Sequence, residues 1–284
     1  EAATRKFLRE VTPLAIMLPI RRLYTKTRTS EHGLIIRIKK LFLTSTVIPE
    51  TSAKYRDDIF AKLNELIDLL GKVRIVLPPY LRQLEQLIPS QDGSVRLLPD
   101  VKYRGTWHDA EPLLNKVLDT LYEINNLITG ISGSITSELE RCKEQLVDPA
   151  AEEPPLMGLL LSLGQSFDSV SQQFATLAGE LAQSGGTFSE LLSNIEFITE
   201  LGDRQWVYWI ERTGARSDRG FAVSLHAAPI SIARFLADGL YACKDSVILC
   251  SATMNVAGST AFISHRIGLD LLEPDRITSF VAGS

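Results

Sequence analysis

The residues best placed to do chemistry are Ser251 and Thr253, which flank Ala252 directly after the apolar run Val247-Ile248-Leu249-Cys250. Apolar residues feeding a hydroxyl cluster are the pattern of a buried strand that delivers hydroxyls to the carboxyl edge of an α/β sheet, where ligands bind. Hydroxyl groups at such an edge both donate and accept hydrogen bonds. The second group with chemical potential is cationic. Residues 1–45 hold ten Lys and Arg (Arg5, Lys6, Arg9, Arg21, Arg22, Lys26, Arg28, Arg37, Lys39, Lys40) against three acids, in a chain whose net charge is -4. A basic segment in an otherwise acidic chain fits a phosphate or another anionic partner, and also fits a solvated helix face. Arg21, Arg22, Arg28, Arg37, Lys39 and Lys40 are the phosphate candidates.

Other chemistries find little support. His32, His108, His226 and His265 share no local spacing, and no G-x-S-x-G occurs, so a hydrolase reading has no nucleophile to rest on. Cys142, Cys243 and Cys250 lack C-x-x-C spacing and sit in apolar patterns, which predicts reduced, buried thiols and a cytoplasmic protein. A four-cysteine iron–sulfur or zinc site within the chain is excluded by count. The acidic residues Glu138, Glu140, Glu144, Asp148, Glu152 and Glu153 read as a solvated helix end and linker. Trp206 and Trp209 could stack bases, but in a β-branched strand they read as core, and three residues apart they point to opposite faces. No apolar run spans a bilayer, and no secretory leader is visible. The start at Glu1 without Met, and the stop just after the strand-like Ile277–Ser284, read as a piece of a longer protein.

The elements that must position these residues are mostly helices. Leu34, Ile35, Ile38, Leu41 and Phe42 follow helical spacing. A helix is predicted from about Thr51 to Ile88, broken or kinked at Pro78-Pro79. Ser94–Arg104 reads as irregular or extended. The clearest helix runs from about His108 to Val147, with Leu114, Val117, Leu121, Ile124, Ile128, Ile131, Ile135, Leu139, Cys142 and Leu146 as one stripe. After the linker Asp148–Pro155 a further long helix carries Phe167, Val170, Phe174, Leu177 and Leu181. It is expected to end at Gly185-Gly186, with a shorter helix capped by Thr187 following to Leu201. Such stripes are bundle core.

At Gly202-Asp203 the pattern changes. Gln205–Glu211 and Phe221–Ala228 read as strands. Pro229 is expected to open a helix of about thirteen residues to Cys243, then the Val247–Cys250 strand and a helix near Ser259. That order predicts a sheet with crossovers. The expected fold is thus mainly α with an α/β part.

With these elements in order, a family resemblance emerges. Ala228-Pro229-Ile230 leads a helix into Val247–Cys250 and Ser251-Ala252-Thr253-Met254; Phe262, Ile267-Gly268-Leu269 and Ile277–Ser284 follow. The order resembles the DinG-like branch of the Rad3/XPD helicases of superfamily 2, in which a Ser-Ala-Thr tripeptide is motif III. The aromatic strand from Trp206 to Glu211 fits, and Glu1–Thr12 is similar to the segment after the acidic Walker B box. The resemblance implies three parts. Residues 1–45 and 204–284 would belong to the first RecA-like P-loop motor domain, left incomplete here, and 46–203 to the helical Arch-like insertion with long antiparallel helices.

Its functional implications are those of a piece of an ATP-dependent DNA helicase moving 5′ to 3′ on single strands. Ser251, Ala252 and Thr253 would couple the nucleotide site to DNA grip, and the basic helices at 12–40 would meet DNA phosphates. ATP and Mg2+ would be used by the parent protein. The chain carries no G-x-x-x-x-G-K-[ST] and no Asp-Glu-x-His box, so alone it is expected to be inactive. Any iron–sulfur cluster would lie outside it, and its partners would be single-stranded DNA and the remainder of the motor, without a membrane. The strand Val247–Cys250 would then have two unpaired edges. The alternative is a non-enzymatic helical scaffold that binds protein partners through its arms.

Overall fold

The computed structural model describes residues 33–43, 48–89, 93–103, 105–217, 220–250 and 259–278. Their fold is mainly α, with long helices and a small antiparallel sheet. Three long helices form the body: α2 (Glu50–Gln86), α3 (Gly105–Val147) and α5 (Phe167–Glu200), with short helices α1 (Leu34–Leu43) and α4 (Met157–Ser162) packed beside them. Helix α3 lies between α2 and α5 and runs antiparallel to both. Tyr55 meets Ser134 while Lys72 meets Glu123, and Tyr122 meets Glu196 while Ile128 approaches Gly185. At 1.5 Å per residue, α3 measures about 64 Å.

The expected stripe is the core of this body. Val117, Leu121, Ile124, Ile128, Ile131, Ile135, Leu139 and Cys142 are all buried, whereas Leu114 is half-buried and Leu146 at the helix end is exposed. From α5, Val170, Phe174, Leu177 and Leu181 are buried and Phe167 is half-buried. At one end, Phe42 of α1 closes the bundle, its ring edge-on to Phe174 at 4.9 Å and to Phe60 at 5.9 Å.

Two expected helix breaks are not made. Pro78 and Pro79 lie inside a continuous α2. Proline supplies no N–H, so two rungs of the ladder are missing there. Burial of Val73, Leu77, Tyr80 and Leu84 on either side holds the helix together across the gap. Gly185-Gly186 likewise lies inside α5. Gly185 is required for approach rather than for a break: a Cβ there would stand 2.8 Å from Ile128 Cγ2. Thr187 is no cap, because its hydroxyl donates back to the Gln183 carbonyl one turn earlier. The helix ends at Leu201, in the left-handed region at φ 48°.

The sheet holds β1 (Ser94–Leu97), β2 (Trp206–Ser217) and β3 (Gly220–Pro229) in the order β1-β2-β3, all antiparallel. The expected crossovers are absent among the described residues, because β2 takes β1 as its second partner. That pairing brings the extended segment after α2 against the C-terminal hairpin, and Arg212 fastens it by donating to the Ile88 and Pro89 carbonyls. Tyr208, Ile210, Val223, Leu225, Ala227 and Leu97 form the buried inner face, with Trp206 and Tyr208 against Phe197 of α5.

Beyond the hairpin the chain departs further from expectation. Pro229 ends β3 rather than opening a helix, and the helix that follows, α6 (Ala233–Gly239), is only seven residues long before a 3-10 turn at Tyr241–Cys243. Helix α7 (Ala261–Arg266) starts where expected, with the Ser259 hydroxyl accepting from the Ala261 N–H. Gly268, at φ 77°, lets the turn after α7 pass the Ala233 carbonyl, which a Cβ would approach to 2.2 Å. Among the described residues, no helix is long and apolar enough to cross a membrane.

Candidate nucleic-acid interface

Helix α1 is anchored by Leu34, Ile35, Ile38 and Phe42, all buried, and this spacing fans Arg37, Lys39 and Lys40 around the remaining surface. The three cations end in different surroundings. Arg37 reaches α5 and forms a fork with Glu180, with Nη1 to Oε2 at 2.7 Å and Nη2 to Oε1 at 3.0 Å. Lys39 turns to α2, donating to Asn64 and lying over the Phe60 ring at 5.8 Å; partial burial lowers its pKa from the usual lysine value. Lys40 points to solvent. Arg37 is thus largely neutralised within the fold, and Lys39 and Lys40 supply the free positive charge of this helix.

Between α1 and the first turns of α5 lies a half-open cavity of about 410 Å³. Arg37, Lys40, Gln165, Gln172, Gln173 and Thr176 are its polar lining, with Leu41, Leu163 and Leu177 beneath. The Gln173 amide donates to Gln165 at 3.1 Å, which sets two of the side chains against each other. With Arg37 already held by Glu180, Lys40, the amides and the hydroxyl form a surface able to take phosphate oxygens. The glutamines escaped the sequence reading because nothing local marks them. They acquire meaning only when α1 docks on a helix more than a hundred residues away in sequence.

The other predicted residues are placed less fully. Arg21, Arg22 and Arg28 lie outside the described residues, as do Ser251, Ala252 and Thr253. The run leading to the Ser-Ala-Thr tripeptide is described and corrects the sequence reading. Ser246–Cys250 forms no strand, and Ile248 is 86% exposed. An apolar strand in a parallel sheet is held by neighbours on both edges, and among the described residues no strand pairs with this one. The cysteines are corrected too. Cys142 is buried, its thiol pushed up to about 12 by burial and by the nearby Glu138, but Cys243 and Cys250 are exposed; all three are free. In the acidic patch, Arg141 pairs with Glu138 and Lys143 with Glu140, while Glu144 and Asp148 stay exposed. No group of three His, Cys, Asp or Glu side chains among the described residues is placed to hold a metal ion.

The tryptophans divide between the two faces of the sheet, as their spacing predicts. Trp206 is edge-on to Phe197 and Phe235 at 5.0 and 5.8 Å. Trp209 lies on the opposite face, stacked on His226 with ring centroids 4.8 Å apart and planes 7° from parallel. His226 Nε2 stands 3.3 Å from Glu211 Oε2, and burial outweighs that carboxylate, so the imidazole pKa is lowered from 6.5.

Comparison with known proteins adds one relation. No family model matches the chain. Over 82 residues it is 34% identical to the 3'-5' exonuclease DinG of Bacillus subtilis (strain 168). The chain is similar to a DinG protein over part of its length. The matched stretch is 29% of this chain and spans 8% of that protein.

Proposed function

We propose that this chain is part of a DinG-like, ATP-dependent DNA helicase motor, and that its own contribution is to hold single-stranded DNA beside the motor rather than to hydrolyse nucleotide. The observation that carries this reading is the similarity to DinG, joined to the Ser251-Ala252-Thr253 tripeptide that follows the hairpin and α6. In this reading residues 46–203 are the Arch-like insertion, and 1–45 and 204–284 belong to the first RecA-like motor domain. Ser251 and Thr253 relay the nucleotide state to the DNA grip, with Ala252 kept small for close backbone approach. The exposed apolar run Val247–Cys250 supports it, since such a run has a use as a strand once neighbouring strands flank it.

ATP and Mg2+ belong to the longer protein. The residues present here do not fit them: the sequence has no phosphate-binding loop, and the described residues offer no carboxylate cluster. This chain's share is electrostatic, with Lys39, Lys40 and the adjoining glutamine-lined cavity meeting phosphates.

The test is the salt dependence of single-strand binding by the whole chain, read by fluorescence anisotropy of a labelled oligonucleotide. The double variant Lys39→Glu with Lys40→Glu should weaken binding and flatten the log–log salt slope by about 1.4, the share of two phosphate contacts on a single strand. An unchanged slope would remove α1 from the interface. A native chain that binds no DNA would favour the protein-binding scaffold.

A further inference from the structure

The register of the sheet places Arg96, Trp209 and His226 in one row across all three strands, on the face opposite the core. Adjacent strands stand about 4.8 Å apart, so the three side chains are immediate neighbours. The row grades outward. His226 is 7% exposed, Trp209 is half-buried and Arg96 is exposed. The imidazole fixes the indole from one side in a nearly parallel stack, which leaves Trp209 little freedom to lose when something binds against it.

A second observation marks the row as unfinished. His226 Nδ1 makes no hydrogen bond, and Nε2 faces the Glu211 carboxylate at 3.3 Å, although the side chain is more than nine-tenths buried. Buried polar atoms in this state are uncommon, because leaving them unpaired is costly.

We propose that Arg96, Trp209 and His226 form a stacking subsite for single-stranded nucleic acid, in which the Trp209 indole takes a base and Arg96 the adjoining phosphate. The occupant is chosen by the pairing of a pre-oriented aromatic ring with an exposed cation one strand away, the combination that base and phosphate require together. Base stacking of this kind tolerates any sequence. The subsite rests on the nucleic-acid reading above, but it is a separate location from α1, on another element and with another chemistry.

The experiment uses the whole chain with two labelled probes of equal length, a thymidine oligonucleotide and an abasic deoxyribose-phosphate strand. The native chain should bind the thymidine strand about tenfold or more tightly than the abasic one. Trp209→Ala should erase that preference while leaving abasic affinity unchanged, and Trp206→Phe should keep it. Equal affinity of the native chain for both probes would overturn the subsite, and so would a preference that survives Trp209→Ala.

Where Trp209→Ala disturbs the hairpin, as read by circular dichroism, Trp209→Phe and indole emission take its place. Thymidine strand should quench the emission of the Trp206→Phe chain and not that of Trp209→Phe; quenching retained in Trp209→Phe would overturn the subsite. Failure of the two readings is distinguishable. If charge reversal at Lys39 and Lys40 weakens both probes equally but base preference is absent, the subsite falls and the DNA reading stands. If neither probe binds, both fall.

Discussion

The helical body and the C-terminal segment after the hairpin are built from similarly apolar sequence, yet they reach opposite outcomes. In the body, every residue from Val117 to Cys142 that belongs to the stripe finds a partner helix on one side or the other, and the stripe is sealed. After Tyr241, the run Ser246–Cys250 is irregular and exposed, and Phe262 and Leu271 stand 65% and 55% in solvent. Helices complete their hydrogen bonds within themselves, so burial needs only a neighbour's side chains. A strand needs a neighbour's backbone as well. The difference teaches that apolar content alone does not decide order; the C-terminal run awaits backbone partners that the described residues do not provide.

The sharpest way to break that contrast is to delete the same kind of side chain in both regions. Leu121→Ala, in the sealed stripe, should cost about 2–5 kcal/mol of stability in urea denaturation, through lost burial and the cavity left behind. Ile248→Ala should change it by less than about 0.5 kcal/mol, as for other exposed positions. Similar losses at the two sites would mean that the C-terminal run is packed after all.

A smaller effect sharpens the account of the body itself. Gly185→Val should cost about 1–3 kcal/mol, because the new side chain meets Ile128 with no room to spare. Gly186→Ala, one residue on, has open space around its Cβ and should stabilise by about 0.5–1 kcal/mol through helix propensity. Thermal melting of the two variants separates close helix approach from a latent helix break. Stabilisation by both would show that the pair had been kept for flexibility.

The weakest expected effect lies in the sheet and depends on pH. His226 has its pKa lowered by burial, with Glu211 opposing, so folding favours the neutral ring. Its contribution is fully present above the unfolded value of 6.5 and is lost as pH falls through the folded value. The protection factors of amides in β2 and β3, corrected for the intrinsic pH dependence of exchange, should therefore fall below pH 6.5, and His226→Phe, which keeps an aromatic ring under Trp209, should remove this dependence. Identical pH profiles for native and variant would assign the effect elsewhere.

What the sequence made legible follows the same division. The stripe Val117–Cys142 was readable because helical burial repeats locally, every three or four residues. Even the opposite orientation of Trp206 and Trp209 follows from a period of two. Non-local facts escaped. That Gly185 serves Ile128, that β1 rather than a crossover strand borders β2, and that glutamines of α5 face the cations of α1 all depend on elements far apart in the chain. The stretch from Pro229 to Cys243 reads as a longer helix than forms, because its apolar periodicity is not matched by packing; only Ala237 of α6 is buried.

Amide hydrogen exchange of the whole chain, with and without a thymidine oligonucleotide, tests the central claim most directly. In the free chain, the stripes of α3 and α5 should be strongly protected and Ser246–Cys250 should exchange at the rate of an open backbone. Adding DNA should slow exchange in α1, in the first turns of α5 and in the three strands while leaving the rest of the body and Ser246–Cys250 as they were. Protection of Ser246–Cys250 in the free chain, or no DNA-dependent change in α1 and the sheet, would contradict the account.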